Sequence, residues 1–421
     1  MIEKSELKNG TRIVCEAMPD CRSASIGVWV KSGSVYEAEG EYGASHFIEH
    51  ILFKGTRRRT ASQIAAEMDD MGGNLNAFTS KECTCFYAKV LDEHIDRAID
   101  IMSDLLLNSN LDEGDIEREK GVVTEEILMN DDSPEDVAHE GICSLLFENC
   151  PIARPVLGTE KTVNAFSRAS LIRYMDKRYR GGDIVISCAG SFDKAKLTDM
   201  LSGSFAALNS GAGEERIASR LGPGRRVGFA DRDAEQGHIC IGMPGFGAND
   251  ARRFALLVLN NALGGCMSSR LFQRIREQRG LAYSIYTYPT SYAETGYLTA
   301  YAGTSLSNAA TVAELMLEEL GSIRANGLTK AEFDRAKEQM RVGYILSQES
   351  TSARSSAIGK AELLLGRAEE EARLLPKLEA VTMQDVEAIL DTVLDENAIC
   401  AFVAGKTAKM DTAKIERLIK G

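Results

Sequence analysis

His46-Phe47-Ile48-Glu49-His50 places two imidazoles and one carboxylate in a single short stretch. At about 100° per residue, His46 and His50 stand one helical turn apart, so both side chains reach one ion. Glu49 lies on an adjoining strip of the same helix. The H-x-x-E-H order inverts H-E-x-x-H and predicts a zinc site with a built-in general base. The flanks agree with a helix: Ser45 as N-cap, Ile48, Ile51, Leu52 and Phe53 as apolar mass, and Lys54-Gly55 as a stop.

Catalytic zinc usually takes three side chains and keeps a fourth position open. The run from Leu111 to Asn130 supplies a source for the third. Acidic residues crowd its first turn and apolar ones follow at helical spacing, which predicts a second helix. Glu119 and Glu126 are seven residues apart and share a face of it.

Three features together, the H-x-x-E-H helix, the stretch Glu117-Arg-Glu-Lys-Gly-Val-Val-Thr-Glu-Glu-Ile127 and the step of 76 residues from His50 to Glu126, resemble the pitrilysin (M16) family. Within it, the bacterial relatives of the mitochondrial processing peptidase beta subunit are the nearest match. The resemblance implies that His46, His50 and Glu126 bind one Zn2+ per chain, that Glu49 activates water, and that Glu119 orients a ligand from behind. Glu125 falls off the motif position. The implied fold is α/β, an α+β roll of the LuxS/processing-peptidase-like metallohydrolase type, with two similar duplicated domains enclosing a cavity.

Periodicity along the chain is compatible with a duplication. The first half predicts strands at Thr11–Glu16 and Ala24–Ser32, the motif helix, a helix at Ala61–Met71, a strand at Asn76–Leu91, helices from Asp92 onward, one of them opened by Ser133-Pro134, and a strand at Ile184–Ala189. Gly, Ser, Pro and charge then replace periodicity near Leu208 and Leu221-Gly-Pro-Gly224. Ile239–Met243 resembles Ile26–Val30, and a helix at Arg252–Leu263 stands where the first half has its histidines, with none of its own. The expected organisation is a catalytic zinc-binding domain at 1–207, a linker at 208–225, and a homologous metal-free domain at 226–421 that completes the active site.

Gly264 to Tyr283 resembles the family's L-G-G-G-M-S-S-R-L-F and R-x-x-x-G-L-A-Y stretches, with Cys266 where a third glycine is common. By that resemblance Arg276 and Tyr283 face the zinc and donate hydrogen bonds to the substrate carbonyl as its oxygen becomes anionic. Gly72-Gly73 stops a helix, and the following residues alternate as a strand. In the family this strand is a sheet edge that pairs with substrate backbone, which makes Asn76, Ala77, Phe78 and Thr79 the expected substrate contacts.

Composition sets the frame. With 421 residues, 44% hydrophobic and 26% charged, the chain can bury two ordinary cores. No apolar run approaches the ~18 to 20 residues of a membrane span, and the opening residues resemble no signal or transit sequence. Ten cysteines without a C-x-x-C predict free thiols in a reducing cytoplasm. A net charge of −13 argues against nucleic acid and suits basic peptides. The basic run Lys54–Thr60 reads as a solvated loop, and His94, His139 and His238 as structural. The expected function is zinc-dependent endopeptidase action on unfolded peptides or flexible termini inside an enclosed chamber, by a homodimer or a heterodimer with a related chain. The competing readings are a non-catalytic binding or scaffold subunit of a processing-peptidase-like complex, and a zinc hydrolase of non-peptide substrates.

Overall fold

A computed structural model describes residues 2–213, 219–222, 224–368 and 371–421, without the side chains of 371 and 372. Parts of the expected linker, 214–218 and 223, lie outside the described residues. The fold is mixed α/β with two sheets.

The first sheet contains β1 (Ile2–Glu6), β2 (Arg12–Ala17), β3 (Ser23–Val30), β4 (Asn74–Thr79), β5 (Thr84–Leu91) and β6 (Ile184–Gly190) in the order β1-β2-β6-β3-β5-β4. β2 and β6 are parallel, and every other pair is antiparallel. The second contains β7 (Arg226–Asp231), β8 (Gln236–Gly245), β9 (Ala282–Ser291), β10 (Gly296–Ser305) and β11 (Cys400–Gly405) in the order β7-β11-β8-β10-β9. Here β7 and β11 are the parallel pair. From β2 onward, the two sheets therefore share strand order and direction.

Between β3 and β4 run α1 (Ala44–Leu52) and α2 (Ala61–Asp69); α3 (Ile95–Asn108), α4 (Glu113–Asp132) and α5 (Pro134–Leu146) follow β5. α1 to α4 lay apolar side chains on one face of the first sheet: Phe47, Ile48, Ile51, Ile64, Met102, Leu105 and Val123 join Ile26, Val28 and Phe86 in one core. Burying such side chains contributes about 1.5–3 kcal/mol each, which is why amphipathic helices of ordinary propensity hold here.

Packing does not follow chain order. One unit comprises 1–127, 154–217 and 345–373; the other comprises 128–153, 218–344 and 374–421. The helix Thr351–Leu365 thus covers the second face of the first sheet, while α5 packs on β7, β8 and β11. A cut at 208–225 separates each of these helices from the sheet it covers. The first of the two interfaces is polar: Ser25 Oγ lies 2.9 Å from Thr351 Oγ1, Ser187 Oγ 2.9 Å from Ser355 Oγ, and Arg354 Nε donates to Glu16 at 2.7 Å. Gly359 allows this approach, because a Cβ there would meet Trp29 Nε1 at 2.2 Å. Covered on both faces, β3 and β6 are buried almost throughout.

Two expectations change. The strand expected over Asn76–Leu91 is a hairpin, β4 and β5, broken where Ser80 N–H donates to Cys83 O (2.8 Å) and Cys83 N–H to Ser80 Oγ (3.1 Å). A serine hydroxyl taking the place of a backbone partner closes a turn that periodicity does not reveal. The run Lys54–Thr60 is not uniformly solvated either. Arg59 is largely buried and donates to Glu67, Asp100 and Asp104 at 3.0, 2.6 and 2.9 Å, tying the α1–α2 connection to α3.

All ten cysteines are free thiols. Among the described residues no helix is long and apolar enough to cross a membrane.

Candidate metal centre

α1 begins at Ala44, so Ser45 lies inside the helix and is not its N-cap. The N-cap is Gly43, at φ +89°, where a Cβ would meet Leu157 O at 2.5 Å. The free N–H groups of this turn are served from outside it: Glu37 Oε2 accepts from Gly43 N at 2.8 Å and Oε1 from Ser45 N at 2.9 Å. Burial pushes the Glu37 carboxyl up to about 7, against the lowering effect of those two N–H groups. The Ser45 hydroxyl instead lies 2.7 Å from Tyr174 Oη, deep in the core.

One turn later α1 delivers its chemistry. His46 is buried and His50 half-buried, their ring centres 4.5 Å apart. Their Nε2 atoms lie 3.6 and 3.5 Å from the same oxygen, Glu126 Oε2 on α4. Among the described residues these three form the one group of histidine, cysteine or acidic side chains whose ligand atoms all lie within 4.8 Å of one another. Three vertices of a tetrahedron drawn at zinc–ligand lengths stand about 3.4 Å apart, so the donor set fits such an ion. Behind it, Glu119 Oε1 lies 2.9 Å from His50 Nδ1, holding the ring with Nε2 turned towards Glu126.

Glu49 points to the sheet. Thr79 Oγ1, at the end of β4, donates to Glu49 Oε2 at 2.6 Å. β4 is the outer strand of its sheet. Leu75, Ala77 and Thr79 turn inward, while Asn76 and Phe78 turn out, Phe78 at 39% exposure with its ring centre 5.8 Å from that of Trp29 in an edge-to-face pair. Beside β4 is a cavity of about 340 Å³ whose lining includes Phe53, Ile64, Ala65, Met68 and Leu75.

The electrostatics separate the two histidines. Burial, followed by the neighbouring His50, pushes His46 down to about 3, leaving a neutral imidazole suited to ligation. For His50 burial also lowers, but the Glu119 hydrogen bond and the charges of Glu126, Glu119 and Glu49 outweigh it and the group is raised. Burial raises the Glu49 carboxyl above the usual carboxylate range, with Thr79 opposing. Burial would raise Glu119 too, yet hydrogen bonds from His50 and Lys54 hold it below that range.

Comparison with known proteins agrees with this centre. Residues 12–160 match the model of the insulinase family, peptidase family M16, and residues 165–340 match that of the M16 inactive domain. A zinc protease of Bacillus subtilis, YmxG, is 40% identical over 406 residues, 96% of this chain and 98% of its own. A Streptomyces coelicolor zinc protease is 40% identical over 93% of this chain and 87% of its own. The chain belongs to the M16 peptidase family. Solved structures show the same fold at low identity: an M16 protein of Pseudomonas fluorescens and a protease of Helicobacter pylori each align at a TM-score of 0.89 and 18% identity over 96% of this chain, covering 98% and 99% of theirs.

The other residues expected at the M16 site lie in the second unit. Arg276 lies in the last turn of a π-helix, Phe272–Glu277, and Tyr283 is the second residue of β9, the outer strand of its sheet. The two are adjacent: Arg276 Nη1 donates to Tyr283 O at 2.7 Å, and the guanidinium stacks 4.8 Å from both the Tyr283 and Phe272 rings. Tyr283 is nevertheless 77% exposed, unusual for an aromatic residue.

Sequence reasoning missed three contributors. Glu37 leaves no local signal at all. Thr79, expected to touch substrate, also holds Glu49. Lys54, read as part of a helix stop, stands four residues beyond His50, and that spacing was the available clue.

Proposed function

We propose that this M16 chain is a zinc-dependent endopeptidase acting on unfolded peptides or flexible protein termini. The observation that carries the reading is the convergence of His46, His50 and Glu126 beside a glutamate anchored to the end of an outer β-strand. His46, His50 and Glu126 would hold one ion. When bound, zinc polarises a scissile carbonyl and lowers the pKa of a neighbouring water towards ~7.

The remaining steps belong to the chain itself. With Oε2 held by Thr79, Glu49 offers Oε1 to take the proton of water and then pass it to the leaving amine. Substrate backbone adds to β4 along Asn76, Ala77, Phe78 and Thr79, which reads main chain more than side chain. The cavity beside β4, whose lining includes Phe53, Ile64 and Met68 as well as Asp69 and Asn74, accepts a side chain of the bound strand. Glu119 keeps His50 in its ligating orientation, and the family resemblance assigns the donors to the developing oxyanion to Arg276 and Tyr283. An enclosed chamber, as the family resemblance implies, restricts substrates to segments without stable structure. The protein works in the cytoplasm, where its ten thiols stay reduced, as a homodimer or paired with a related chain.

The test is mass spectrometry of a pool of unstructured peptides incubated with wild type and with Glu49→Gln, zinc content being measured in both. Cleavage by wild type alone, with zinc retained in the variant, is the expected result. A zinc-loaded wild type that cleaves nothing overturns the enzyme and leaves a binding or scaffold subunit.

A further inference from the structure

Glu119 uses its two oxygens for different purposes. Oε1 lies 2.9 Å from His50 Nδ1, and Oε2 lies 2.7 Å from Lys54 Nζ. Glu119 itself is 3% exposed, whereas the Lys54 side chain is 38% exposed and reaches in from the turn that ends α1. No other described residue bonds Glu119 Oε2.

A buried carboxylate with one oxygen free can rotate about its last torsion, which for glutamate is broad and roughly two-fold. Engaging both oxygens removes that freedom. It fixes Oε1 as the acceptor for Nδ1–H, and so fixes the tautomer in which His50 Nε2 carries its lone pair towards Glu126. Charge points the same way: Glu49, Glu119 and Glu126 bring three negative charges, a divalent ion offsets two, and Lys54 offsets the third.

We propose that Lys54 is a positioning residue of the metal centre, acting through Glu119 to hold His50 in its ligating orientation. The inference rests on the metalloenzyme reading above. It makes a prediction opposite in sign to simple electrostatics. Removing a cation beside a dication site should tighten metal binding by Coulomb's law; removing a positioning residue should weaken it.

The experiment is zinc affinity by competition with a chromophoric chelator, and the d–d spectrum of the cobalt-substituted protein, for wild type, Lys54→Met, Lys54→Arg, Glu119→Gln and the Lys54→Met/Glu119→Gln double variant. Lys54→Met is expected to bind zinc about 10- to 100-fold more weakly, the usual loss for a partner behind a metal ligand. Its cobalt spectrum should shift, and Lys54→Arg should restore much of the loss. The double variant should bind no more weakly than Glu119→Gln alone, since both changes act on one linkage. Unchanged or tighter binding by Lys54→Met with the wild-type spectrum overturns the proposal, as does full additivity in the double variant. Should Lys54→Met fail to fold, Lys54→Arg and Glu119→Gln still decide it: an arginine variant as weak as Glu119→Gln counts against it. A wild type that binds neither metal overturns the metal reading itself.

Discussion

α1 and the helix Arg253–Leu263 occupy the same place in two sheets of the same strand order, each following the long central strand, β3 or β8. Both bury an apolar face, Phe47, Ile48, Ile51 and Leu52 in one, Leu256, Val258, Leu259 and Leu263 in the other. They differ in what the remaining face carries. α1 has His46, Glu49 and His50, faced by Glu119 and Glu126 from α4; Arg253–Leu263 has no titratable side chain beyond its first residue. Their starts differ as well. α1 is capped by the buried Glu37, whereas Arg252 N–H at the head of the second helix donates to Asp250 at 2.9 Å in an exposed pair. The lesson is that this fold stands without a metal centre. The second unit builds the same strand order without such a cluster among its described residues, so the charged cluster of the first is an addition to a shared frame.

That comparison breaks most sharply if His46, His50 and Glu126 prove structural. His50→Ala should abolish zinc binding and peptide cleavage while circular dichroism and cooperative melting persist; a variant that unfolds would make the ion part of the frame. Glu49→Gln should lower kcat by about 10²–10⁴-fold, the range of a general acid–base residue, with zinc content unchanged. In the second unit the corresponding loss is of stability. Leu259→Ala, at a fully buried position, should cost about 2–5 kcal/mol in a urea titration, and zinc affinity measured below the unfolding transition should stay at the wild-type value.

Smaller effects sharpen the picture. Thr79→Val removes the donor that holds Glu49, and at about 1.5 kcal/mol for a hydrogen bond to a charged group kcat should fall by roughly tenfold. KM should change little if, as proposed, the substrate is held by the β4 backbone; a change confined to KM would reassign Thr79 to binding alone. Glu37 supplies a pH dependence that the second helix lacks. Its folded pKa of about 7 stands above the ordinary carboxylate value of 4.5. The stability it contributes is therefore complete below pH 4.5 and is lost as pH rises through 7. Between pH 5 and 8 the unfolding free energy of Glu37→Gln should decline less than that of wild type, and parallel declines would count against this assignment.

Much of the centre was legible before any fold was known. His46, Glu49 and His50 are one turn of one helix, and Glu119 and Glu126 are two turns of another, so helical geometry alone brings each set to one face. The outer-strand position of β4 was legible only through family resemblance. Periodicity merged it with β5, since the Ser80 to Cys83 turn closes through a hydroxyl rather than through Gly or Pro.

The sequence by itself placed His46, Glu49 and His50 on one helical turn, Glu119 and Glu126 on one face of a second helix, and the apolar faces that bury α1 and its counterpart, because each of these depends on residues within a turn or two of one another. The tertiary structure decided the rest. It alone brings Lys54 to Glu119 across 65 positions, Glu37 to the head of α1, and Thr79 to Glu49. It alone sends Thr351–Leu365 to the first sheet and α5 to the second. Such pairings are settled by which polar groups find partners once the cores have closed, and no local pattern records that choice.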